Sequence, residues 1–342
     1  MPRSPVLQRL LPAALAPLLL TAGCAPALRA IDDLPPASEP TSDPATSTPA
    51  RTPAPGLLPS AAGLATAPDG RHYPLVPQDP AALASLLAAV EAAVRDPATP
   101  EAELPRLGHQ QQVIYRVLAW QPPQAAAVRA ALPARWQPVF DRQVGARREF
   151  LAMHAGHRRP ERLPAWRVIQ PLPAERLLEL YRSAGAATGI PWEVLAAINL
   201  VETGMGRIDG ISVADARGPM QFLPSTWAEP GIGNGGDIRN PADAIPAAAR
   251  YLVRRGGPAN LQKAIWGYNN SNHYVRAVLG YAALIKEDPA AFRGLYHWEI
   301  HFAAAGGDLW LPVGYEQRQP IAVAAYRQRA PFSVPPPGSS GY

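Results

Sequence analysis

Apolar residues recur at helical period in segment after segment of this chain. Leu83, Leu86, Leu87, Val90 and Val94 stand at i, i+3, i+4, i+7 and i+11. They follow Asp79, which can cap a helix, and Pro80, which suits its first position. Similar patterns run over 103–120 with Ile114, Val117 and Leu118, and over 134–154 with Trp136, Phe140, Val144 and Leu151. Further helices are predicted over 174–184, 261–268 and 273–285, the last showing Val275, Val278, Leu279, Ala282 and Ile285 on one face. Asn240-Pro241-Ala242-Asp243 opens another, with an Asn cap, Pro at the first position and an acid at the third. Between 173 and 296 no alternating run is long enough for a sheet, so the fold class expected is mainly α.

The chain ends read differently. Arg3 and Arg9 precede the apolar run Leu10 to Leu20 and the small-residue ending Thr21-Ala22-Gly23-Cys24, the layout of a signal peptide. That run is too short for a stable transmembrane helix. Cys24, the only cysteine, stands where a lipoprotein signal places its lipidated residue, with Thr21 in place of the usual Leu; Ala25-Pro26-Ala27 offers an ordinary cleavage site instead. One cysteine allows no disulfide within the chain. From Ala25 onward Pro, Ala, Ser and Thr dominate, a composition that buries too little to offset chain entropy, so a disordered tether is expected. A Pro/Gly/Ser tail mirrors it from residue 331.

The division that follows is a signal segment over 1–24, a tether over 25–70 and a helical unit of unknown role over 76–165. A second helical domain over 170–300 and a C-terminal extension with a Pro-rich tail over 301–342 complete it. Residues 163–173, with prolines bracketing Val168-Ile169, read as the connector. Lys and Arg number 32 against 27 Asp and Glu, a net charge of +5 that is almost all arginine and forms no block. Nucleic acid is therefore not an expected partner, whereas a diffuse positive surface suits an anionic envelope polymer.

Glu202 carries the chemistry. Leu195, Ile198 and Glu202 share one helical stripe, which puts a carboxyl on the core-facing side of a helix that Gly204 stops. Burial and the negative helix end both favour its protonated form, the state a general acid needs. Downstream, Gly218-Pro219-Met220-Gln221-Phe222-Leu223-Pro224-Ser225-Thr226-Trp227 holds a polar amide between two hydrophobes, able to bond an N-acetyl group and the Glu202 carboxyl together. In Gly267-Tyr268-Asn269-Asn270, Tyr268 ends a helix before an Asn-rich turn, from which its hydroxyl could steady a carboxyl.

In this order, the Glu-Thr-Gly, Gly-Pro-Met-Gln-Phe-Leu-Pro-Ser-Thr-Trp and Gly-Tyr-Asn segments resemble the lytic murein transglycosylases, enzymes similar in fold to goose-type lysozyme. The resemblance covers roughly residues 173–283. It implies a lysozyme-like domain in which Glu202 is the sole catalytic acid and then base, Gln221 orients the N-acetyl of the bound sugar, and Tyr268 hydrogen-bonds Glu202. Met220, Trp227 and Asn269 would shape the cleft, with Thr203 beside the acid. Thr203, Pro219 and Gly267 stand where Ser, Leu and Ala are usual. Thr keeps the hydroxyl.

Ordinary glycosidases use two carboxylates. Asp243 reads as a helix start and Asp237 as a loop anchor, which leaves Asp209 and Asp215 as plausible second acids. Without one, the N-acetyl group of the substrate must attack the anomeric carbon. Glu202 would then deprotonate the C6 hydroxyl of N-acetylmuramic acid to leave a 1,6-anhydro sugar. A muramidase using Asp209 or Asp215, and a catalytically silent wall-binding lipoprotein, are the alternatives. The partners expected are peptidoglycan glycan strands and, through a lipid on Cys24, a membrane of the cell envelope. His297 and His301 lack the Glu that a zinc-protease motif places after the first His, His154 and His157 have no carboxylate nearby, and 231–237 holds too few oxygen ligands for calcium. No metal and no cofactor are expected.

Overall fold

A computed structural model describes residues 57–341 of the chain. The signal segment, Cys24 and most of the tether lie outside the described residues. Four helices come first: α1 (Pro80–Arg95), α2 (Leu104–Trp120), α3 (Pro122–Ala131) and α4 (Gln137–Met153). Asp79 caps α1 by accepting a hydrogen bond from the Ala82 N–H at 2.8 Å, and the five stripe residues Leu83, Leu86, Leu87, Val90 and Val94 are all buried. α3 was not anticipated, because its Ala-rich sequence shows little periodic contrast and buries only Ala125 and Val128.

Two short strands follow, β1 (Arg162–Leu163) and β2 (Arg167–Val168), then α5 (Ala174–Thr188) and α6 (Trp192–Thr203). After β3 (Ile208–Asp209) come α7 (Pro224–Trp227), α8 (Pro241–Arg254), α9 (Leu261–Asn269), α10 (Asn272–Glu287) and α11 (Ala291–Tyr296). The C-terminal part adds β4 (Ile300–Ala304), β5 (Gly307–Leu311), β6 (Ile321–Ala322) and α12 (Val323–Arg329). The fold is mainly helical.

α10 is the central post. It packs against α4 on one side and α6 on the other, so one continuous apolar core runs from Leu83 and Val117 through Val144 to Leu195, Ile245 and Val278. The N-terminal helices therefore support the helix that carries Glu202. α2 is buried on almost all sides, including His109, Gln110, Gln111, Gln112 and Arg116. Buried polar side chains need partners, and the C-terminal segment supplies most of them. Gln112 donates to the Glu299 carbonyl at 2.9 Å and accepts from the Glu299 N–H at 2.8 Å. Trp298 Nε1 donates to Gln111 Oε1 at 2.9 Å, and Arg116 pairs with Asp308 at 2.8 Å.

All three two-stranded pairings are antiparallel. β2 pairs with β3, β4 with β5 in a hairpin, and β1 with β6, with Leu163 opposite Ile321. A second apolar cluster fills the space among them, built from Leu163, Trp166, Val168, Ile208, Ile300, Phe302, Leu309, Leu311, Tyr315 and Tyr326. The segment read as a connector and the C-terminal extension thus fold onto each other.

Two expectations at the ends need correction. The tether expected over 25–70 does not extend that far: Ala67 is buried, as are Tyr73 and Val76 after it, and Leu57 and Leu58 pack against the core. The Pro/Gly/Ser segment from 331 is docked rather than tether-like. Ser333 Oγ donates to the Trp310 carbonyl at 2.5 Å, and Ser339 Oγ accepts from the Val76 N–H at 3.0 Å. Both serines are fully buried, so a segment poor in large apolar groups is held by hydrogen bonds to parts of the chain distant in sequence.

Candidate functional site

Glu202 sits in the last turn of α6. The helix stops at Gly204, whose φ of 60° lies in the left-handed region, and the Gly204 and Met205 N–H groups cap the Leu200 and Asn199 carbonyls at 3.0 and 3.1 Å. A side chain at 204 would also bring Cβ within 2.6 Å of Ile300 on β4. The C-terminal hairpin therefore closes directly over the end of the Glu202 helix.

The Glu202 carboxyl is 1% exposed. Its Oε1 accepts a 2.6 Å hydrogen bond from the Tyr274 hydroxyl, and its Oε2 has no protein partner. Among the described residues four carboxylates are buried: Glu91, Glu202, Glu299 and Asp308. Glu91 pairs with Arg95, Glu299 with Arg71 and Asp308 with Arg116, whereas Glu202 is in no ion pair. Burial lifts its pKa from an ordinary 4.5 to about 8, against the smaller opposing pull of the Tyr274 hydrogen bond. The carboxyl is accordingly protonated at neutral pH.

The 218–222 loop is fixed to α6 from below. Thr203 Oγ1 donates to the Pro219 carbonyl at 2.6 Å and accepts from the Gly206 N–H at 3.0 Å; Asn199 Nδ2 reaches the same carbonyl at 2.7 Å. Gly218 has φ 72° and its Cα lies so near Ile238 that an added Cβ would stand 1.9 Å from that residue's carbonyl oxygen. Gln221 also has positive φ, 49°, and its Nε2 donates to the Gly218 carbonyl at 2.9 Å. Its Oε1 is buried with no partner.

Several expected roles change on this geometry. Tyr268 does not bond Glu202: its hydroxyl donates to the Met220 carbonyl at 2.8 Å, from a fully buried ring. Tyr274 makes the bond instead. The stripe Val275, Val278, Leu279, Ala282 and Ile285 leaves Tyr274 out. Counting tyrosines as apolar gives Tyr274, Val278, Tyr281 and Ile285 at i, i+4, i+7 and i+11, a buried face that aims Tyr274 inward. Gln221 bonds its own loop rather than Glu202. Thr203 and Met220 are fully buried and hold the loop in place, so neither lines an open cleft. Trp227 is half-buried with its ring edge-on to Phe222 at 5.4 Å, and Asn269, also half-buried, ends α9.

The possible second acids are committed elsewhere. Asp209 lies in β3 and pairs with Arg167 and, at 3.4 Å, with Arg239. Asp215 pairs with Arg217 at 2.9 Å, and Glu229 with Arg254 at 2.7 Å. Asp243 accepts from the Asp237 N–H at 3.1 Å and steadies the loop before α8. A small cavity of about 110 Å³ adjoins Glu202, walled by Val201 and Gly204 of α6, Tyr281 of α10, Arg147 and Phe150 of α4, and Phe302 of β4. None of these second-acid candidates lines it, nor do Gln221, Trp227 and Asn269; Glu299 does, with its carboxylate paired to Arg71. His301 and His297 do not share a site: His301 Nε2 lies 3.0 Å from His109 Nε2 with Asp308 on its other nitrogen, while the His297 ring stands edge-on to Tyr296.

Compared with known families, residues 179–287 match the model described as the transglycosylase SLT domain. No curated protein and no solved structure gives a significant match to the chain.

Proposed function

With residues 179–287 forming a transglycosylase SLT domain, of the lysozyme-like lytic transglycosylase family, we propose that this protein cleaves peptidoglycan between N-acetylmuramic acid and N-acetylglucosamine without water, leaving 1,6-anhydro ends. The observation that carries the reading is Glu202, among the described residues the one buried carboxyl that is in no ion pair. A protonated Glu202 can give its proton to the leaving sugar oxygen through Oε2, which has no protein partner. Once ionised, Oε1 keeps the Tyr274 hydroxyl as donor, which steadies the charge until the carboxylate takes a proton back. That second proton is the one on the C6 hydroxyl, and its loss lets C6 oxygen close on the anomeric carbon.

The muramidase alternative needs a second carboxylate to activate water. Asp209 and Asp215 are held in surface ion pairs outside the Glu202 cavity, which disfavours it. Gln221, with Oε1 unpartnered beside a fixed loop, is the residue best suited to receive the N-acetyl N–H of the bound sugar. Trp227 and Asn269 would border the same sugar. Mass spectrometry of digested peptidoglycan tests the reading: fragments one water lighter than hydrolysis products support it, and reducing ends sink it.

A cell-envelope location goes with this substrate. Cys24, which follows the apolar run Leu10 to Leu20 and the small-residue ending Thr21-Ala22-Gly23, would anchor the chain by a lipid. Cys24→Ser should move the protein from the membrane fraction to the soluble one; an unchanged distribution rules the anchor out.

A further inference from the structure

Arginines that are scattered along the sequence converge on one face of the fold. A groove of about 1040 Å³ runs between the segment 158–167, the turn 209–213 that starts at the end of β3, and residues of 316–320. Its walls carry six arginines against the three carboxylates Glu161, Asp209 and Glu316. Arg158 pairs with Glu161, while Arg167 and Arg239 share Asp209. Arg318 is exposed and enters no ion pair among the described residues, and the Arg162 guanidinium, also exposed, donates to the Pro320 carbonyl. Paired charges cancel at a distance, so what an approaching anionic surface meets is the positive excess.

The turn after β3 adds apolar groups to the same wall. Ile211 and Val213 are 46% and 73% exposed, and Val213 is the most exposed large apolar side chain among the described residues. A built turn holds them outward. Ser212, buried between them, accepts at Oγ from the Ala216 N–H at 2.9 Å, and its own N–H donates to the Ala216 carbonyl at 3.0 Å. Gly210 lies so close to Trp166 that an added Cβ would stand 2.2 Å from the ring. Aliphatic side chains fixed in water beside cations are the pattern of a surface that enters the headgroup layer of a membrane. The same wall disfavours a glycan: Trp166, the one aromatic residue lining the groove, is buried and offers no ring face to a sugar.

We propose that this groove is a membrane-docking surface, in which Arg162 and Arg318 meet the phosphates of anionic phospholipids while Ile211 and Val213 enter the boundary between headgroups and acyl chains. Guanidinium forks match phosphate oxygens, and the aliphatic pair supplies the apolar area that a purely electrostatic contact lacks. The contact is reversible and released by salt, unlike a lipid on Cys24, to which it adds a second attachment. It stands independently of the cleavage reading.

The test uses the chain from Ala25 onward, which keeps every described residue and lacks both Leu10 to Leu20 and Cys24. Co-sedimentation is measured with vesicles of phosphatidylglycerol and phosphatidylethanolamine, with vesicles of phosphatidylcholine alone, and with purified peptidoglycan sacculi. The parent should bind the anionic vesicles well above the neutral ones and release them as salt rises. Arg318→Gln and Arg162→Gln should each weaken binding to anionic vesicles about fivefold. Ile211→Ser joined to Val213→Ser should weaken it about tenfold. Sacculus binding should stay at the parent level in all of these variants. The four side chains are exposed, and should the double variant fail to fold, Arg318→Gln alone decides. Parent binding that ignores lipid charge, or parent-like vesicle binding by every variant, overturns the docking surface. A loss confined to sacculi also overturns it and assigns the groove to the polymer.

Discussion

Replacing Glu202 by Gln should change stability in a pH-dependent way whose size follows from the burial of its carboxyl. The folded pKa of about 8 stands above the ordinary 4.5, so the native state holds a proton that the unfolded chain releases. Sign follows directly: the protonated carboxyl leaves stability intact below pH 4.5, stability falls as pH rises from 4.5 toward 8, and it levels off above. At ~1.36 kcal/mol per pH unit, the fall approaches about 5 kcal/mol. Gln keeps the shape and the acceptor for Tyr274 but cannot ionise. The variant should therefore match the parent near pH 4.5 and exceed it by about 3 to 5 kcal/mol at pH 8.5. Urea unfolding of both proteins across that range measures the difference, and the other titrating groups cancel between them. A difference that stays flat with pH refutes the premise of a buried carboxyl in no ion pair.

Tyr274→Phe removes the donor to Oε1, which stabilises the ionised form, so the alkaline limb of the pH–rate profile should move upward and turnover should fall about ten- to a hundredfold. A limb that stays in place assigns the hydroxyl no role at Glu202. Thr203→Val leaves the Pro219 carbonyl with one donor and the Gly206 N–H with none. It should cost about 1–3 kcal/mol in thermal or urea unfolding, and a neutral result would show that the loop holds itself.

The helices were readable because each buries one stripe: Asp79 and Asn240 cap where their side chains can reach the first turn, and Leu83 or Val278 recurs at the period of the core. Glu202 was readable for the same reason, as a charge on an apolar face. What stayed hidden was tertiary. The β4–β5 hairpin is buried on both faces, so Ile300-His301-Phe302 and Leu309-Trp310-Leu311 show no inward–outward alternation. Ser339 is buried only because Val76 meets it from the far end of the sequence, a pairing no local pattern records. Tyr268 and Tyr274 stand stacked with ring centroids 6.4 Å apart, near enough that sequence alone could assign the Glu202 bond to the wrong one.

The row of glutamines on α2 has a consequence for the order in which the molecule can come together. α2 comes early in the chain, yet Gln112 and Arg116 find partners in Glu299 and Asp308, 187 and 192 residues further on. Until then, closing the helices would bury the Gln112 amide and the Arg116 guanidinium without these partners. A truncated chain thus stays loose, and a stop codon ahead of the hairpin should yield a protease-sensitive product rather than a smaller folded protein.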